Sequence, residues 1–152
     1  MRRKEKEIKE QSEIEAIINS SLVCRLGLSD GNIPYIVPLC FGFKERSIYI
    51  HSALKGRKID ILKINPNVCF EFDSDIEVKK TENPCNWGMK FKSVIGFGKA
   101  VFIEDIEEKK EALNIIMHQY SGNSFDFSDN VVNGVAVIRI DIEEITGKWS
   151  GL

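Results

Sequence analysis

Asp30-Gly31 constrains the fold more than any other feature of this sequence, because it lies between two segments rich in apolar and β-branched residues. Aspartate followed by glycine is a strong signal for a tight hairpin turn, and such turns join antiparallel strands. Residues 23–53, VCRLGLSDGNIPYIVPLCFGFKERSIYIHSA, therefore predict three strands, with residues 44–46 separating the second from the third. Pro34 and Pro38 fall within the second strand, which we expect at a sheet edge or bulged, since proline donates no hydrogen bond to a neighbouring strand.

Two helices are predicted from capping signals. A capping box at Ser12 and Glu15 begins a helix that ends near Ser20, and Asp105 begins a longer one that ends near Tyr120. The expected apolar face of the longer helix consists of Ile106, Leu113, Ile116, Met117 and Tyr120.

A third, shorter helix and three more strands complete the chain. The short helix ends at Asn65-Pro66, and its apolar residues are Ile59, Ile61, Leu62 and Ile64. Apolar segments at 67–73, 90–104 and 135–149 predict strands, the second of them bent or bulged at Gly96 and Gly98. The polar segments between elements, residues 74–89 and 121–134, are interpreted as loops.

The resulting order, α-β-β-β-α-β-β-α-β, does not fit a doubly wound parallel sheet. Hairpins near the start imply antiparallel pairing, so the predicted fold class is mainly β with peripheral helices, an antiparallel barrel of about six strands, closed or half-open. A chain of 152 residues suits one domain spanning residues 1–152.

Composition and charge exclude several functions. The formal net charge is −2, and the basic residues are spread among acidic ones, which argues against a nucleic-acid-binding surface. No apolar segment approaches the ~20 residues that span a bilayer, and the charged N-terminus does not resemble a secretion signal, so we expect a cytoplasmic protein that does not bind membranes. The four cysteines form no CxxC pair, and we expect reduced thiols, three of them in apolar strands, rather than a metal site; they are Cys24, Cys40, Cys69 and Cys85.

Three cations crowd the start of the short helix, where the backbone is already electropositive. Lys55, Arg57 and Lys58 are either a solvated basic turn, offset by Asp60, or a cradle for a phosphate group. Gly56 would let a phosphate approach the backbone closely. The expected apolar walls beside this cradle are Val37, Leu39 and Phe41.

The sequence contains two histidines. His118 lies outside the apolar face of its helix and is interpreted as a solvated side chain. His51 ends the third strand just before the basic loop, so it either bonds to a neighbour or lies beside the anion that the loop receives. The sequence contains no GxSxG, Walker or complete dinucleotide-binding motif.

A series of ordered segments resembles a known superfamily. The segments are YIVPLCFGF, SIYIHSALKGRKIDILKINPNVCFEFD, KFKSVIGFGKA, EEKKEALNIIMHQYSG and ITGK, within a span from about Arg2 to Lys148. They resemble the pyridoxamine 5'-phosphate oxidase-like superfamily of FMN-binding split barrels, and within it the 5-nitroimidazole resistance group.

This resemblance implies a six-stranded split barrel that forms a homodimer with two FMN molecules between the subunits. Arg57 and Lys58 match the pair that binds the flavin phosphate, and His51 and Ser52 match strand-end positions that touch the flavin. The backbone of Val37, Pro38 and Leu39 matches the segment that lines the isoalloxazine, and Lys92 and Ser93 match a polar pair that faces the cofactor.

The function that follows from the resemblance is that of an FMN-dependent oxidoreductase. A nicotinamide or another donor would supply electrons, and a small acceptor such as a nitroaromatic would receive them, with His51 as the proton donor. The chain ends in ITGKWSGL, without the C-terminal arginine that holds the substrate phosphate in pyridoxamine-phosphate oxidases. Four alternatives stay open: a flavin-binding or redox-sensing module with little turnover, a pyridoxamine-phosphate-oxidase-related enzyme of another substrate, a haem-handling relative, and FAD in place of FMN.

Overall fold

The computed structural model describes residues 4–151 of the chain. Within that range eight strands and four α-helices follow one another: β1 (Glu7–Ile8), α1 (Gln11–Ser20), β2 (Cys24–Asp30), β3 (Ile33–Leu39), β4 (Gly42–Lys44), β5 (Ser47–Ala53), α2 (Arg57–Ile64), β6 (Asn67–Lys79), β7 (Gly88–Ile103), α3 (Ile106–Ser121), α4 (Asp129–Asn133) and β8 (Val135–Ser150). Short 3-10 turns occupy Lys4–Lys6 and Pro84–Asn86.

All strand pairs are antiparallel, and the strands form one sheet in the order β3-β2-β6-β7-β8-β5-β4, with β1 added beside β8. The chain passes from β3, at one end of this path, to β4, at the other, through only Cys40 and Phe41. The sheet must therefore curl until its ends approach, and it stays unpaired between β3 and β4 over the described residues. The predicted split barrel with peripheral helices is confirmed. The strand count is higher than predicted because the link at Cys40-Phe41 separates β4 from β3 and because β1 joins the sheet.

The turns between strands and the place of β3 at the sheet edge follow from the backbone preferences of their own residues. Gly31 has a φ of 60° in the β2–β3 hairpin, and Glu45 and Arg46 have φ values of 49° and 62° between β4 and β5. Positive φ at the first central residue, as at Gly31, or at both, as at Glu45 and Arg46, gives a two-residue turn that matches the twist of the flanking strands. As predicted, Pro34 and Pro38 lie on an edge strand, where a missing N–H donor is tolerated.

Aromatic side chains fill the barrel interior. Phe41, Phe70 and Phe72 are fully buried, with the ring centroids of Phe41 and Phe72 4.8 Å apart. Gly96 makes room for this cluster, since a Cβ built on it would lie 2.2 Å from a ring carbon of Phe70. The predicted irregularity near Gly98 is also present, because the register between β7 and β8 shifts between Phe97 and Gly98.

A second apolar cluster lies beneath α3. Leu113 and Ile116 are buried there with Val132 and Val137. The predicted cap is confirmed, since the Asp105 carboxylate accepts hydrogen bonds from the backbone N–H groups of residues 107 and 108.

Two details of the predicted helices are wrong. Helix α1 begins after Glu10, so Ser12 lies inside its first turn and does not cap it. Ile64 is 86% exposed because the buried face of α2 ends at Leu62.

Both predicted loops contain regular structure. Residues 74–79 continue β6 and pair with the beginning of β7, forming a two-stranded arm. Its alternating apolar residues in this segment, Ile76 and Val78, are too few among charged neighbours to mark a strand, and they are 59% and 50% exposed. Helix α4 lies within the predicted loop 121–134, and only Val132 in it is fully buried, so its periodicity is too short to recognise. Cys40 was predicted within the second strand but lies in the link between β3 and β4, where it is exposed.

Candidate functional site

Helix α2 begins with an open, positively charged end. Gly56 is its N-cap residue, with a φ of 134°, a conformation that L side chains rarely adopt. Glycine provides no side-chain acceptor, so the N–H groups of the first turn lack the cap that Ser, Thr, Asp or Asn would supply. Among the described residues, no heavy atom lies within 4 Å of a Cβ built on Gly56. The helix start is therefore open to an anion and electrostatically suited to one.

Arg57 reaches from this helix start to the β2–β3 hairpin. Its guanidinium stacks on the Tyr35 ring, 4.6 Å from the ring centroid, and its Nη2 lies 3.4 Å from Oδ2 of Asp30. The side chains of Arg57 and Asp30 are 53% and 51% exposed, so this ion pair is weak and solvent-screened. The stacking on Tyr35 thus holds the guanidinium near the cradle. The ion pair with Asp30 is weak enough for a dianion to replace Asp30 as the partner of Arg57.

Lys58 and His51 form the other side of the cradle. Partial burial lowers the pKa of the Lys58 ammonium. The pKa of the His51 imidazole is also lowered, first by partial burial and then by the charge of Lys58. Both shifts mean that the charged form of each side chain is less favoured here than in water. Because the pKa of His51 lies below its ordinary value, its imidazole is mainly neutral at pH 7.

The contact between Arg57 and the Tyr35 ring places that part of β3 beside the start of α2. Val37 and Leu39 pack against the core with half-buried side chains, whereas Pro38 faces outward and is exposed. Phe41 is fully buried, so the prediction that it forms a wall of the site is wrong. Ser52 follows His51 in β5 and is half-buried, its side chain facing the opposite side of the strand.

The structure does not bring Lys92 and Ser93 to this cradle within one chain. His51 pairs with Val137 at one end of β8, and Ser93 pairs with Lys148 near the other. Eleven positions at ~3.3 Å each make a separation of about 36 Å along the strand.

Lys92 and Ser93 also face opposite sides of β7. The Lys92 Nζ lies 3.5 Å from a carboxylate oxygen of Glu13 and 3.7 Å from one of Asp75. Ser93 lies on the other, outward side of the strand. The two side chains therefore do not form one polar pair.

Ser93 instead belongs to a cavity on the outer face of β6 and β7. The cavity has a volume of about 350 Å³ and is lined by Glu71, Asp73, Ile76, Met89, Phe91 and Ser93. We call it the arm cavity.

A single arginine holds the two carboxylates of the arm cavity together. Nη1 of Arg25 lies 3.1 Å from Glu71 Oε2 and 2.6 Å from Asp73 Oδ1. Burial and then the neighbouring Asp73 charge raise the pKa of the Glu71 carboxyl, against the opposing effect of Arg25. The sequence analysis missed these residues. Their alternation with Phe70 and Phe72 would have assigned them to the outer face, but not to a cavity.

Two further observations concern other kinds of site. Between Lys4 and Gly151, no three His, Cys, Asp or Glu side chains cluster in a way that would hold a metal ion. Over the same residues, no helix combines the length and apolar character needed to cross a membrane.

Comparison with known proteins places these features in context. The sequence profile of the family described as pyridoxamine 5'-phosphate oxidase matches residues 10–149. A solved structure described as a proposed 5-nitroimidazole antibiotic resistance protein of Bacteroides thetaiotaomicron is 37% identical, with a TM-score of 0.85, and the match covers 94% of this chain and 86% of that one. None of the curated proteins matches.

More distant structures share the fold alone. A flavocytochrome from Azotobacter vinelandii is 19% identical with a TM-score of 0.83, covering 100% of this chain and 72% of its own. An FAD and heme binding protein from Mycobacterium smegmatis is 12% identical with a TM-score of 0.86, covering 96% and 74%.

Proposed function

Because the chain belongs to the pyridoxamine 5'-phosphate oxidase family, we propose that it is an FMN-dependent oxidoreductase that reduces a small acceptor such as a nitroaromatic compound. The observation that carries this proposal is the open, cationic start of α2. There, Gly56 leaves space for an anion, and Arg57 and Lys58 supply charge.

The residues at the helix start suit the terminal phosphate of a flavin mononucleotide. The uncapped N–H groups, the helix dipole and two cationic side chains all favour a dianion, and charge-assisted hydrogen bonds are the strong ones. The lowered pKa of Lys58 supports the same interpretation, since a group that is costly to charge in the empty cradle gains most from an incoming anion. A bound flavin would carry electrons from a hydride donor to the acceptor.

His51 is the residue that we assign to proton transfer. Without an anion its pKa is lowered by burial and by Lys58. A phosphate beside Lys58 would neutralise part of that charge, so the pKa of His51 would rise toward neutrality, where an acid or base acts best. Reduction of a nitro group to a nitroso group consumes two electrons and two protons and releases water, and reduced nicotinamide is the proposed source of the hydride.

We also propose that the protein is a homodimer. The position of Ser93 favours this assembly: within one chain it lies toward the opposite end of β8 from His51, about 36 Å along the strand at ~3.3 Å per residue, so a second copy is the better source of a Ser93 that contacts the flavin. The outer face of the sheet supports this assembly. Ile36 and Phe97 border an apolar groove of about 550 Å³ there and are 67% and 52% exposed.

A nitroaromatic acceptor is favoured over the pyridoxamine vitamer because one relative, 37% identical, is described as a proposed 5-nitroimidazole resistance protein.

A binding or redox-sensing module with little turnover is the second candidate function. It is favoured by the presence of a single candidate proton donor, His51, beside the described cradle.

The proposal is tested by the absorption spectrum of the purified protein, followed by mass spectrometry of the released chromophore. Flavin absorption with the mass of FMN supports the proposal, and the mass of FAD would correct the cofactor. Colourless protein that binds no added FMN would refute it, and a Soret band would point to haem. Reduction of nitro compounds by the flavin-loaded protein then separates the enzyme from the binding module.

A further inference from the structure

We propose that the arm cavity is the site of the electron acceptor, and that it selects a one-ring heteroaromatic compound with a cationic or N–H group directed at Glu71 and Asp73. This inference rests on the proposed function and extends it by naming the acceptor site and its charge preference. No side chain of the cradle lines this cavity.

Strand periodicity explains why these residues share one surface. Asp73 pairs with Ser93, Val78 pairs with Met89, and neighbours two positions apart along each strand face the same side. The register shifts between Ser74 and Glu77, and Asp75 there has a φ of 54°. This bulge turns the arm and gives the surface its concavity.

The cavity is divided into a polar and an apolar half. Ile76, Met89 and Phe91 line the end toward the tip of the arm, and Ile76 and Met89 are 59% and 45% exposed. Apolar side chains left open on a two-stranded arm are suited to the faces of a flat ring. Glu71 and Asp73 line the opposite end.

The charge of the polar half determines which ligands are favoured. Two carboxylates share one arginine, since the same Nη1 of Arg25 contacts both Glu71 and Asp73. The polar half therefore keeps a net negative charge when both carboxylates are ionised. A cation or an N–H donor is favoured there, whereas a carboxylate or phosphate on the ligand is repelled.

The volume of the arm cavity also limits the size of the ligand. A volume of about 350 Å³ lies at the small end of ligand sites, which span roughly 300–1,000 Å³. One aromatic ring with short substituents fits such a space. Ser93 lies at the polar end as well, so the acceptor would lie against the position that the family resemblance assigns to the flavin.

The test compares three nitroaromatic probes on the flavin-loaded protein: a nitroimidazole with a protonated amine chain, a neutral nitroimidazole and a nitrobenzoate. Calorimetry gives the Kd of each probe, and acceptor reduction gives KM and kcat. The wild type should bind the cationic probe about tenfold or more tighter than the anionic one, a difference of the order expected for a partly desolvated charge contact.

Glu71→Gln and Asp73→Asn keep the shape of each side chain, and Lys99→Gln, at an exposed ion pair with Glu143, is the matched control. Each carboxylate variant should reduce the charge preference severalfold in Kd and KM without changing bound flavin, whereas the control should retain it. Met89→Trp fills the cavity from its apolar side and should raise the Kd of all three probes while flavin content stays constant.

The outcomes separate the two proposals. Wild type without flavin would refute the proposed function. Flavin-loaded wild type that reduces the probes with an unchanged charge preference in both carboxylate variants, and with unchanged Kd values in Met89→Trp, would refute the arm cavity alone. If a carboxylate variant fails to fold, Met89→Trp with unchanged Kd values is sufficient to overturn the assignment.

Discussion

The ammonium of Lys58 lies close enough to the imidazole of His51 to add to the effect of burial in lowering the imidazole pKa. The two residues come from different elements, the end of β5 and the first turn of α2, and the loop through Gly56 brings them together. Lys58 therefore carries a positive charge beside His51 at the start of α2, where the uncapped helix end is itself electropositive.

Arg57→Ala combined with Lys58→Ala should yield folded protein that purifies without flavin. Two charge-assisted contacts are lost, each of about 1.5–3 kcal/mol. The measurement is the ratio of flavin to protein absorbance. Lys44→Ala combined with Lys63→Ala removes two exposed cations outside the cradle and should keep the cofactor. Wild-type flavin content in the cradle variant would contradict the phosphate assignment.

The affinity of the wild type for FMN should rise as the pH falls from the pKa that His51 has beside a bound anion to the lowered pKa that it has in the free protein. In the free protein the pKa of His51 is lowered, and a bound anion raises it, so binding takes up a proton between the two pKa values. His51→Gln should weaken the pH dependence of the Kd for FMN. Because the flavin phosphate titrates in the same way in both measurements, comparing wild type with the variant removes its contribution. Titration by flavin fluorescence quenching gives the Kd values. Parallel pH profiles would show that His51 is not near the anion.

His51→Ala should keep much of its flavin and lose turnover. Arg57 and Lys58 are untouched by the change, whereas loss of a positioned acid or base lowers rates by about 10²–10⁴-fold. The measurement is nitro-compound reduction normalised to bound flavin. Equal normalised rates would remove the catalytic role, and absence of activity in both proteins across several donors would favour the binding module.

Phe97→Arg should convert the proposed dimer into a monomer and lower its flavin content. Phe97 is 52% exposed on the outer face, where a charge would oppose burial against a second copy. Light scattering at micromolar concentration measures the assembly. Val131→Arg changes a residue that is 57% exposed on α4 and should leave the dimer intact. A wild-type protein that is monomeric with bound flavin would refute the shared site.

Gly96→Ala should lower the free energy of unfolding by about 1–3 kcal/mol, the usual cost of overpacking. A Cβ at this position would lie 2.2 Å from the Phe70 ring and 2.7 Å from the backbone oxygen of Glu144. Gly88→Ala is the matched control in the same strand, since no described heavy atom lies within 4 Å of a Cβ there. Chemical denaturation provides the comparison. Equal stabilities would mean that the barrel interior accommodates the methyl group.

Local signals in the sequence were sufficient for several elements and for placing two cations at a helix start. Asp30-Gly31 and the edge prolines predicted the β2–β3 hairpin, and Asp105 predicted the start of α3, because turn and capping preferences depend on neighbouring residues. The cations at residues 57 and 58 could be assigned to a helix start for the same reason. The family resemblance is confirmed by the profile match over residues 10–149.

Tertiary structure alone decided how these elements combine. The arm at residues 74–79 depends on pairing with β7, and the Arg25 bridge to Glu71 and Asp73 joins neighbouring strands β2 and β6. The distance between His51 and Ser93 follows from how far each lies along β8, which no local preference encodes. Strand pairing joins residues far apart in the chain, and their register is set by burial of the whole sheet face. The sequence could therefore place the cations at a helix start, but only the fold put Ser93 toward the opposite end of β8 from His51 and created the arm cavity.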